Sequence, residues 1–171
     1  MPLKRQSRSA KSVECLISLG SNVGNRGKRL KRAVASIGKI AGVKVLKKSR
    51  VYETKPLGPS RRTFFNCALK IKTTRSAMGL LIEFKRLEVL AGRKPGLRWG
   101  PRPLDIDLIA YGSQKVKNAW LQIPHPQAVK RAFVLAPLLD IAPKAKLGSS
   151  QSLREILARL TDVPRNIKLS L

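Results

Sequence analysis

The chain has 171 residues, 43% of them hydrophobic, and 36 lysines and arginines against 9 acidic residues give a formal net charge of +27. The length predicts a basic disordered tail, residues 1–12, and one domain, residues 13–171, with a core that needs no disulfide or metal for stability. No apolar run has the length of a membrane span or a secretory signal, so a cytoplasmic protein with no membrane partner is expected, and its charge predicts non-specific polyanion binding.

The first half of the chain is predicted to form a strand, a helix and two further strands. Residues 13–19 have the apolar composition of a strand and lead into a polar turn, 20–25. Apolar residues at helical spacing then predict a helix that ends at Gly42. Strands are predicted over 43–54 and 64–73, separated by a loop whose prolines restrict the backbone. Alternation in the last strand predicts one face with Phe64 and Asn66 and an opposite face with Phe65, Cys67, Leu69 and Ile71.

The second half continues with a helix, a strand and two more helices. Helical spacing runs over 77–91 and is closed by Gly92. A strand follows at Asp105, a helix is predicted over 129–141 despite an internal proline, and a capping-box pattern at 152–155 opens a last short helix. The order βαββαβ with C-terminal additions predicts an α+β fold of the ferredoxin-like type, in which helices pack on one face of an antiparallel sheet.

The two cysteines give no sign of a metal or redox site. Cys15 and Cys67 lie in apolar, strand-like stretches and have neither the spacing of zinc ligands nor that of a C-x-x-C pair. They are expected to be reduced thiols in the core of a cytosolic protein.

Two carboxylates one residue apart, Asp105 and Asp107, are the most informative local feature. Side chains on a strand alternate between faces, so both carboxylates are expected on the same face with Cα atoms roughly 7 Å apart. Buried carboxylates need a cation, and this pair is suited to bind a metal ion. The alternative is a solvated strand face on which the aspartates pair with nearby arginines.

The loop before this pair carries several cations: Arg93, Lys94, Arg98 and Arg102. Arginine forks beside a magnesium site are what phosphoryl transfer requires, because they neutralise charge on the phosphates. The polar turn 20–25 lacks the Gly-Lys-Ser/Thr ending of a phosphate loop, so it is interpreted as a tight turn before a helix.

Three further residues have two interpretations each. His125, the only histidine, lies between two prolines and is either structural or a phosphate contact. Phe64 and Phe133 are either core residues or a pair that clamps a flat heterocycle beside Asn66.

Several motifs occur together in one order, and in this combination they resemble the 6-hydroxymethyl-7,8-dihydropterin pyrophosphokinases of folate biosynthesis. The most specific is Arg-Trp-Gly-Pro-Arg-x-x-Asp-x-Asp, which begins at Arg98. The resemblance runs from about Cys15 to Pro143 and rests on residues 19–25, 52–58, 64–66, 98–108 and 124–125.

The resemblance implies transfer of the β,γ-pyrophosphoryl group of ATP to the pterin hydroxymethyl oxygen, with release of AMP, by a monomer that binds two Mg²⁺ ions. It assigns binding of the metal ions to Asp105 and Asp107 and binding of the phosphates to Arg93 and Arg102. These four residues are the catalytic residues that the resemblance implies. ATP binding is assigned to Glu88, Arg98, Trp99, Arg102, His125 and Arg131. Pterin binding is assigned to Thr54, Leu57, Phe64, Asn66 and Phe133.

The chain departs from the family pattern at three positions. Many members have arginine at the position of Pro95, some have arginine at that of Trp120, and an aromatic residue is frequent at that of Pro126.

Two other functions are considered. A ferredoxin-like RNA-binding module would explain the charge, but the aromatic RNA-binding motif is missing and paired carboxylates on a central strand repel phosphates. A different Mg²⁺-dependent nucleotidyl or phosphoryl transferase would leave the presence of the pterin-pocket residues unexplained.

Overall fold

The structure is a computed structural model that describes residues 11–56, 62–94 and 100–171. Its fold combines one large sheet, a two-stranded hairpin and four helices within these ranges. In chain order the elements are β1 (Val13–Ser21), α1 (Arg26–Gly38), β2 (Val43–Lys48), β3 (Val51–Thr54), β4 (Phe64–Thr73), α2 (Ala77–Leu90), β5 (Asp105–Tyr111), β6 (Val116–Lys117), β7 (Gln122–Ile123), α3 (Ala132–Ile141), α4 (Leu153–Ala158) and β8 (Arg165–Ile167). A short 3₁₀ turn, Ala128–Lys130, precedes α3.

The main sheet is antiparallel and brings distant parts of the chain side by side. Its order is β5-β1-β4-β3-β8, and β2 also pairs with β4. Gly20 near the end of β1 lies opposite Asn66 of β4 on one side and Asp105 of β5 on the other. An antiparallel sheet with helices packed on it agrees with the predicted mixture of α and β structure.

Helices cover both faces of the sheet, and not the one face predicted, because the strands carry apolar residues on both sides and each face has its own core. On one face, Ile17 and Leu69 pack with residues of α1 and α2 such as Leu30 and Phe84. On the other face, the sheet residues Leu16, Ala68 and Ile109 pack with Leu135 and Leu138 of α3 and Leu153 of α4.

Helix starts follow the local sequence signals. The side-chain oxygens of Asn25 and Ser76 accept hydrogen bonds from Lys28 N and Gly79 N at the starts of α1 and α2. The capping box predicted at 152–155 is confirmed, since Ser152 and Glu155 satisfy each other's backbone N–H groups.

Three predicted elements have other bounds in the structure, and the first strand also continues to Ser21, beyond its predicted end at residue 19. The first helix ends at Gly38 rather than Gly42, because the chain turns at 39–42 and Gly42 adopts a φ of 78°. The strand predicted over 43–54 is split into β2 and β3 at Arg50, whose N–H donates to Asp140, and one extra residue lies between Ser49, opposite Ala68, and Tyr52, opposite Asn66. The helix predicted from Val129 starts only at Ala132.

Most of the N-terminal tail, 1–10, lies outside the described residues. Both cysteines are free and buried, as predicted, and burial raises the pKa of each thiol to about 12. None of the helices in the described ranges has the length and apolar character needed to cross a bilayer.

Candidate active site

A cavity of about 90 Å³ lies where the ends of β1, β3, β4 and β5 meet the start of α3. Eight of the residues proposed from the sequence line it: Thr54, Phe64, Asn66, Arg102, Asp105, Asp107, Arg131 and Phe133. Four other lining residues were missed by the sequence analysis: Ser18, Gly20, Lys55 and Gly100. The small residues Ser18 and Gly20 could have been found only by knowing the register of β1, because neither carries a chemical signature.

Asp105 is held between two arginines. Its Oδ1 lies 2.6 Å from Nη1 of Arg93, and its Oδ2 lies 2.8 Å from Nη1 of Arg102. All three side chains are partly exposed, and Asp105 and Arg102 line the cavity, whereas Arg93 does not. The arrangement concentrates positive charge beside a carboxylate, as a site for phosphate oxygens would.

A buried carboxylate, Glu88, forms a second ion pair with Arg93. Its side chain is 2% exposed, and its oxygens accept hydrogen bonds from Arg93 at 2.5 Å, from Lys85 at 3.0 Å and from the N–H of Ile106 at 2.7 Å. Burial raises the pKa of Glu88, while the Ile106 N–H, Lys85 and Arg93 oppose this rise. Glu88 does not line the cavity, so its contact with Arg93 is what connects it to the site.

Asp107 differs from Asp105 because no lysine, arginine or histidine in the described ranges lies within ion-pair distance of it. Burial first, and then the charge of Asp105, raise the pKa of Asp107, whereas His125, Lys85 and Arg131 lower it from a distance. The two carboxylates line the same cavity, as strand alternation predicts. A bound cation would relieve the repulsion between them.

The pair fits a magnesium ion in its chemistry. Mg²⁺ takes oxygen ligands and commonly binds one or two carboxylates together with waters and substrate phosphates. Within 11–56, 62–94 and 100–171, no cluster of three or more histidine, cysteine, aspartate or glutamate residues is arranged to hold a metal. The protein therefore supplies two carboxylates here, and phosphates and waters would have to complete the coordination.

The opposite wall of the cavity combines an amide with two aromatic rings. Asn66 is 3% exposed, and its Nδ2 donates to Oγ1 of Thr54 at 2.9 Å. Phe64 and Phe133 are half-buried, and the Arg131 guanidinium lies 5.7 Å from the centre of the Phe133 ring. The wall thus offers ring faces for stacking and an oriented amide for hydrogen bonds.

The turn after β1 has a positioning role that its sequence did not reveal. Oδ1 of Asn22 accepts a hydrogen bond from the Arg102 N–H at 2.7 Å, and the Asn22 N–H donates to the Arg102 carbonyl at 3.1 Å. Ser21 also donates its hydroxyl to the Pro103 carbonyl at 2.7 Å. These long-range bonds fix the backbone that carries Arg102, in addition to the predicted role of the turn before α1.

Six proposed residues do not line this cavity in the described part of the chain or fall outside that part: Glu88, Arg93, His125, Leu57, Arg98 and Trp99. His125 donates its backbone N–H to Ile109, and its Nδ1 accepts from Gln127 N, so it lies beside the second half of β5. Leu57, Arg98 and Trp99 lie outside the described residues, as does Pro95.

Comparison with known sequences identifies relatives. A family model described as 7,8-dihydro-6-hydroxymethylpterin-pyrophosphokinase (HPPK) matches residues 16–143. The 2-amino-4-hydroxy-6-hydroxymethyldihydropteridine pyrophosphokinase of Haemophilus influenzae is 35% identical over 151 residues, which cover 88% of this chain and 94% of that protein. The protein of the same name from Bacillus subtilis is 39% identical over 131 residues, which cover 76% of this chain and 78% of that protein.

Comparison of structures agrees. The wild-type Plasmodium falciparum HPPK-DHPS solved with pterin and p-hydroxybenzoate matches with a TM-score of 0.70 at 16% identity, over 89% of this chain and 44% of that longer chain. This likeness shows a common fold. The family model covers most of the sequence and the two bacterial relatives align over most of their length, so the chain belongs to the HPPK family.

Proposed function

We propose that this protein transfers the β,γ-pyrophosphoryl group of ATP to 6-hydroxymethyl-7,8-dihydropterin in folate biosynthesis. The pterin hydroxymethyl oxygen attacks the β-phosphorus, the bond to the α,β-bridging oxygen breaks, and AMP leaves. The observation that carries the proposal is one cavity with an amide and two aromatic rings on one wall and a carboxylate pair with arginines on the other. Family membership and the names of the relatives support the same reaction.

The pterin is proposed to bind between Phe64 and Phe133, with its polar edge on Asn66. The amide of Asn66 supplies both donors and an acceptor, and a pterin edge presents both kinds of group. The bond from Asn66 to Thr54 supports this role, because it fixes which way the amide points. Leu57, outside the described residues, remains assigned to this pocket by resemblance.

The phosphates are proposed to bind on the other wall, beside Arg93 and Arg102. Two Mg²⁺ ions held by Asp105 and Asp107 would supply the Lewis-acid stabilisation of phosphate charge. For ATP to approach, the two arginines are expected to exchange part of their contact with Asp105 for phosphate oxygens. Glu88 is then a positioning residue that keeps Arg93 beside Asp105.

The remaining ATP contacts are proposed from resemblance at Arg98, Trp99, His125 and Arg131. Arg131 has the strongest structural support, because it lines the cavity between both walls. The strand order supports a ferredoxin-like core with C-terminal additions, α4 and β8. A single domain over 13–171 that acts as a monomer in the cytoplasm is the proposed form, and the free buried thiols agree with a reducing compartment.

The test is to incubate the protein with ATP, Mg²⁺ and the hydroxymethyl dihydropterin and to separate the nucleotide products. AMP should appear in step with the pterin diphosphate, because attack falls on the β-phosphorus. Asp107→Asn, which keeps the side-chain volume but removes the charge, should nearly abolish turnover. ADP as the sole nucleotide product would contradict the proposal and favour a different phosphoryl transferase.

A further inference from the structure

The sheet carries a second charged surface at the end opposite the cavity. Lys44 and Lys47 of β2 and Lys70 and Lys72 of β4 lie there in two neighbouring cross-strand pairs, and we call these four residues the lysine face. Lys44 is directly opposite Lys72, and Lys47 is directly opposite Lys70. On the same face the centre of the sheet, at Leu16 and Ala68, is covered by α3. Three of the lysines are exposed and Lys70 is partly exposed.

This arrangement has little negative charge to balance it. Nζ of Lys70 lies 2.6 Å from Oε2 of Glu14, which projects from β1 next to β4. Within the ranges that the structure describes, no carboxylate lies within ion-pair distance of Lys44, Lys47 or Lys72. Like charges directly opposite each other destabilise a sheet, so two adjacent lysine pairs need an explanation.

Protection of a sheet edge explains only half of the pattern. Lysines on edge strands commonly prevent pairing with another chain, and β2 is such a strand, since it pairs with β4 alone. Lys70 and Lys72, however, belong to β4, which is paired on both sides, with β1 and β2. Edge protection gives no reason for cations on an interior strand.

The surface has the donors that a phosphate chain requires. A shallow groove of about 290 Å³ at one end of the lysine face is lined by Lys44 and Lys72 together with the exposed Ser12 and Thr74, among others. Ammonium groups and hydroxyls both donate hydrogen bonds to phosphate oxygens. The two lysine pairs continue this row of donors along the strands for about another 7 Å.

From these observations we propose that the lysine face binds the phosphate backbone of nucleic acid without reading its bases. The face has no aromatic residue on which a base can stack; its sheet positions carry Glu14, Leu16, Leu46 and the four lysines. A membrane-binding surface would combine its cations with a broad apolar area, whereas Leu46, at 37% exposure, is the large exposed hydrophobic residue here. The paired carboxylates that would repel nucleic acid lie at the other end of the sheet.

The experiment compares two variants of equal charge. In the face variant, Lys44, Lys47, Lys70 and Lys72 are each changed to Gln; in the control, the exposed Lys28, Lys31, Lys39 and Lys117 are each changed to Gln. Binding to two fluorescein-labelled 20-base-pair DNA duplexes of unrelated sequence is measured by anisotropy from 50 to 300 mM KCl. Each phosphate contact contributes about −0.9 to the slope of log K against log salt concentration.

The face variant should have a slope shallower than that of the parent by about 3 to 4, and the control should differ by less than about 1. Both duplexes should bind equally. Equal slopes for the two variants would overturn the proposal, because binding would then follow net charge alone. Binding to phosphatidylserine vesicles and to polyglutamate is measured in parallel. Loss of binding to either of these, with DNA binding retained, would also overturn the proposal.

Stability provides a second measurement. Removal of two like-charge pairs should leave the melting temperature of the face variant unchanged or higher at low salt. If the fourfold variant fails to fold, the double variants K44Q/K72Q and K47Q/K70Q divide the test, and each should lose about half of the slope change. Double variants that fold and bind DNA like the parent would contradict the proposal.

Discussion

At the scale of single residues, the shape of the cavity depends on a position without a side chain. Gly20 lies between Asn66 and Asp105 in the sheet, and a Cβ atom there would be 3.0 Å from Oδ1 of Asn66 and 3.7 Å from the Phe64 ring. The first distance is tighter than most contacts of a Cβ atom, so the amide would have to shift by a few tenths of an ångström. Glycine here allows a close approach of two strands to a ligand.

We therefore expect Gly20→Ala to weaken pterin binding by about tenfold, or ~1.4 kcal/mol, with little change in melting temperature. Titration calorimetry with the pterin measures the effect. Gly38→Ala is the matched control, because its Cβ would lie 3.7 Å from Val45, an ordinary contact. Parent-like affinity in Gly20→Ala would show that Asn66 does not need its present position.

The two aromatic residues of the cavity can be separated from core residues in a similar way. A core Phe→Ala substitution costs about 3 to 5 kcal/mol of stability. Phe84, at 0% exposure, should show this loss and retain pterin affinity if the variant folds. Phe64→Ala and Phe133→Ala should lose less stability, because both rings are half-buried, but should bind pterin much more weakly.

Thermal melting and pterin titration of the three variants decide the matter. Early melting with normal pterin affinity in the Phe64 and Phe133 variants would assign both rings to the core. Nucleotide binding in the absence of pterin should be unchanged in both, since neither ring is assigned to ATP.

At the scale of elements, the position of α3 depends on one carboxylate. Asp140 near its C-terminal end lies 2.6 Å from Nη2 of Arg50 and accepts hydrogen bonds from Arg50 N and from the Tyr52 hydroxyl. The helix is thereby fastened to the break between β2 and β3. The other end of α3, which carries Phe133, is held by the apolar packing of Leu135 and Leu138 on the sheet.

Burial disfavours the ionised form of Asp140, but the hydrogen bonds from Arg50 and Tyr52 outweigh it and hold the pKa of Asp140 below its ordinary value. A carboxyl whose pKa is lower in the folded state stabilises the fold above its unfolded pKa, about 3.9, and loses this effect as the pH falls through the folded pKa. We expect Asp140→Asn to lower the melting temperature by a few degrees at pH 7, since each kcal/mol corresponds to about 2 to 4 °C at this size.

The difference between parent and variant should shrink as the pH is lowered below about 4. Calorimetric melts from pH 3 to pH 7 measure it, with the exposed Asp162→Asn as the control. A difference in melting temperature that does not depend on pH would mean that the volume of Asp140, and not its charge, fastens the helix.

The same contact explains what the sequence could and could not predict. The continuous apolar and basic pattern over 43–54 contains no residue that breaks a strand, so the division at Ser49 and Arg50 could not be read from it. The division lies at Arg50, whose backbone N–H donates to Asp140, 90 positions further along the chain. By contrast, β4 was predicted with its observed bounds, because strong alternation is a local signal.

At the scale of the whole molecule, the predicted site residues were found through motifs, and the residues that position them were not. Asp105 and Asp107 have a distinctive spacing, and their common cavity follows from strand geometry. Asn22, which holds the Arg102 backbone, looked like an ordinary turn residue because its partner is 80 positions away. The high charge likewise predicted polyanion binding. The lysine face that we propose as the binding surface could be found only from the register of β2 and β4.

That register also fixes how far apart the two charged regions are. Asn66 in the cavity and Lys70 and Lys72 lie on one strand, four and six positions apart, which corresponds to roughly 13 and 20 Å. At physiological ionic strength the Debye length is about 8 Å, so a polyanion on the lysines would leave the potential at the cavity almost unchanged. At about 0.01 M salt the Debye length grows to about 30 Å, and a polyanion on the lysines would then lower the electrostatic potential at the cavity. A dilute buffer would therefore couple two sites that physiological salt keeps independent.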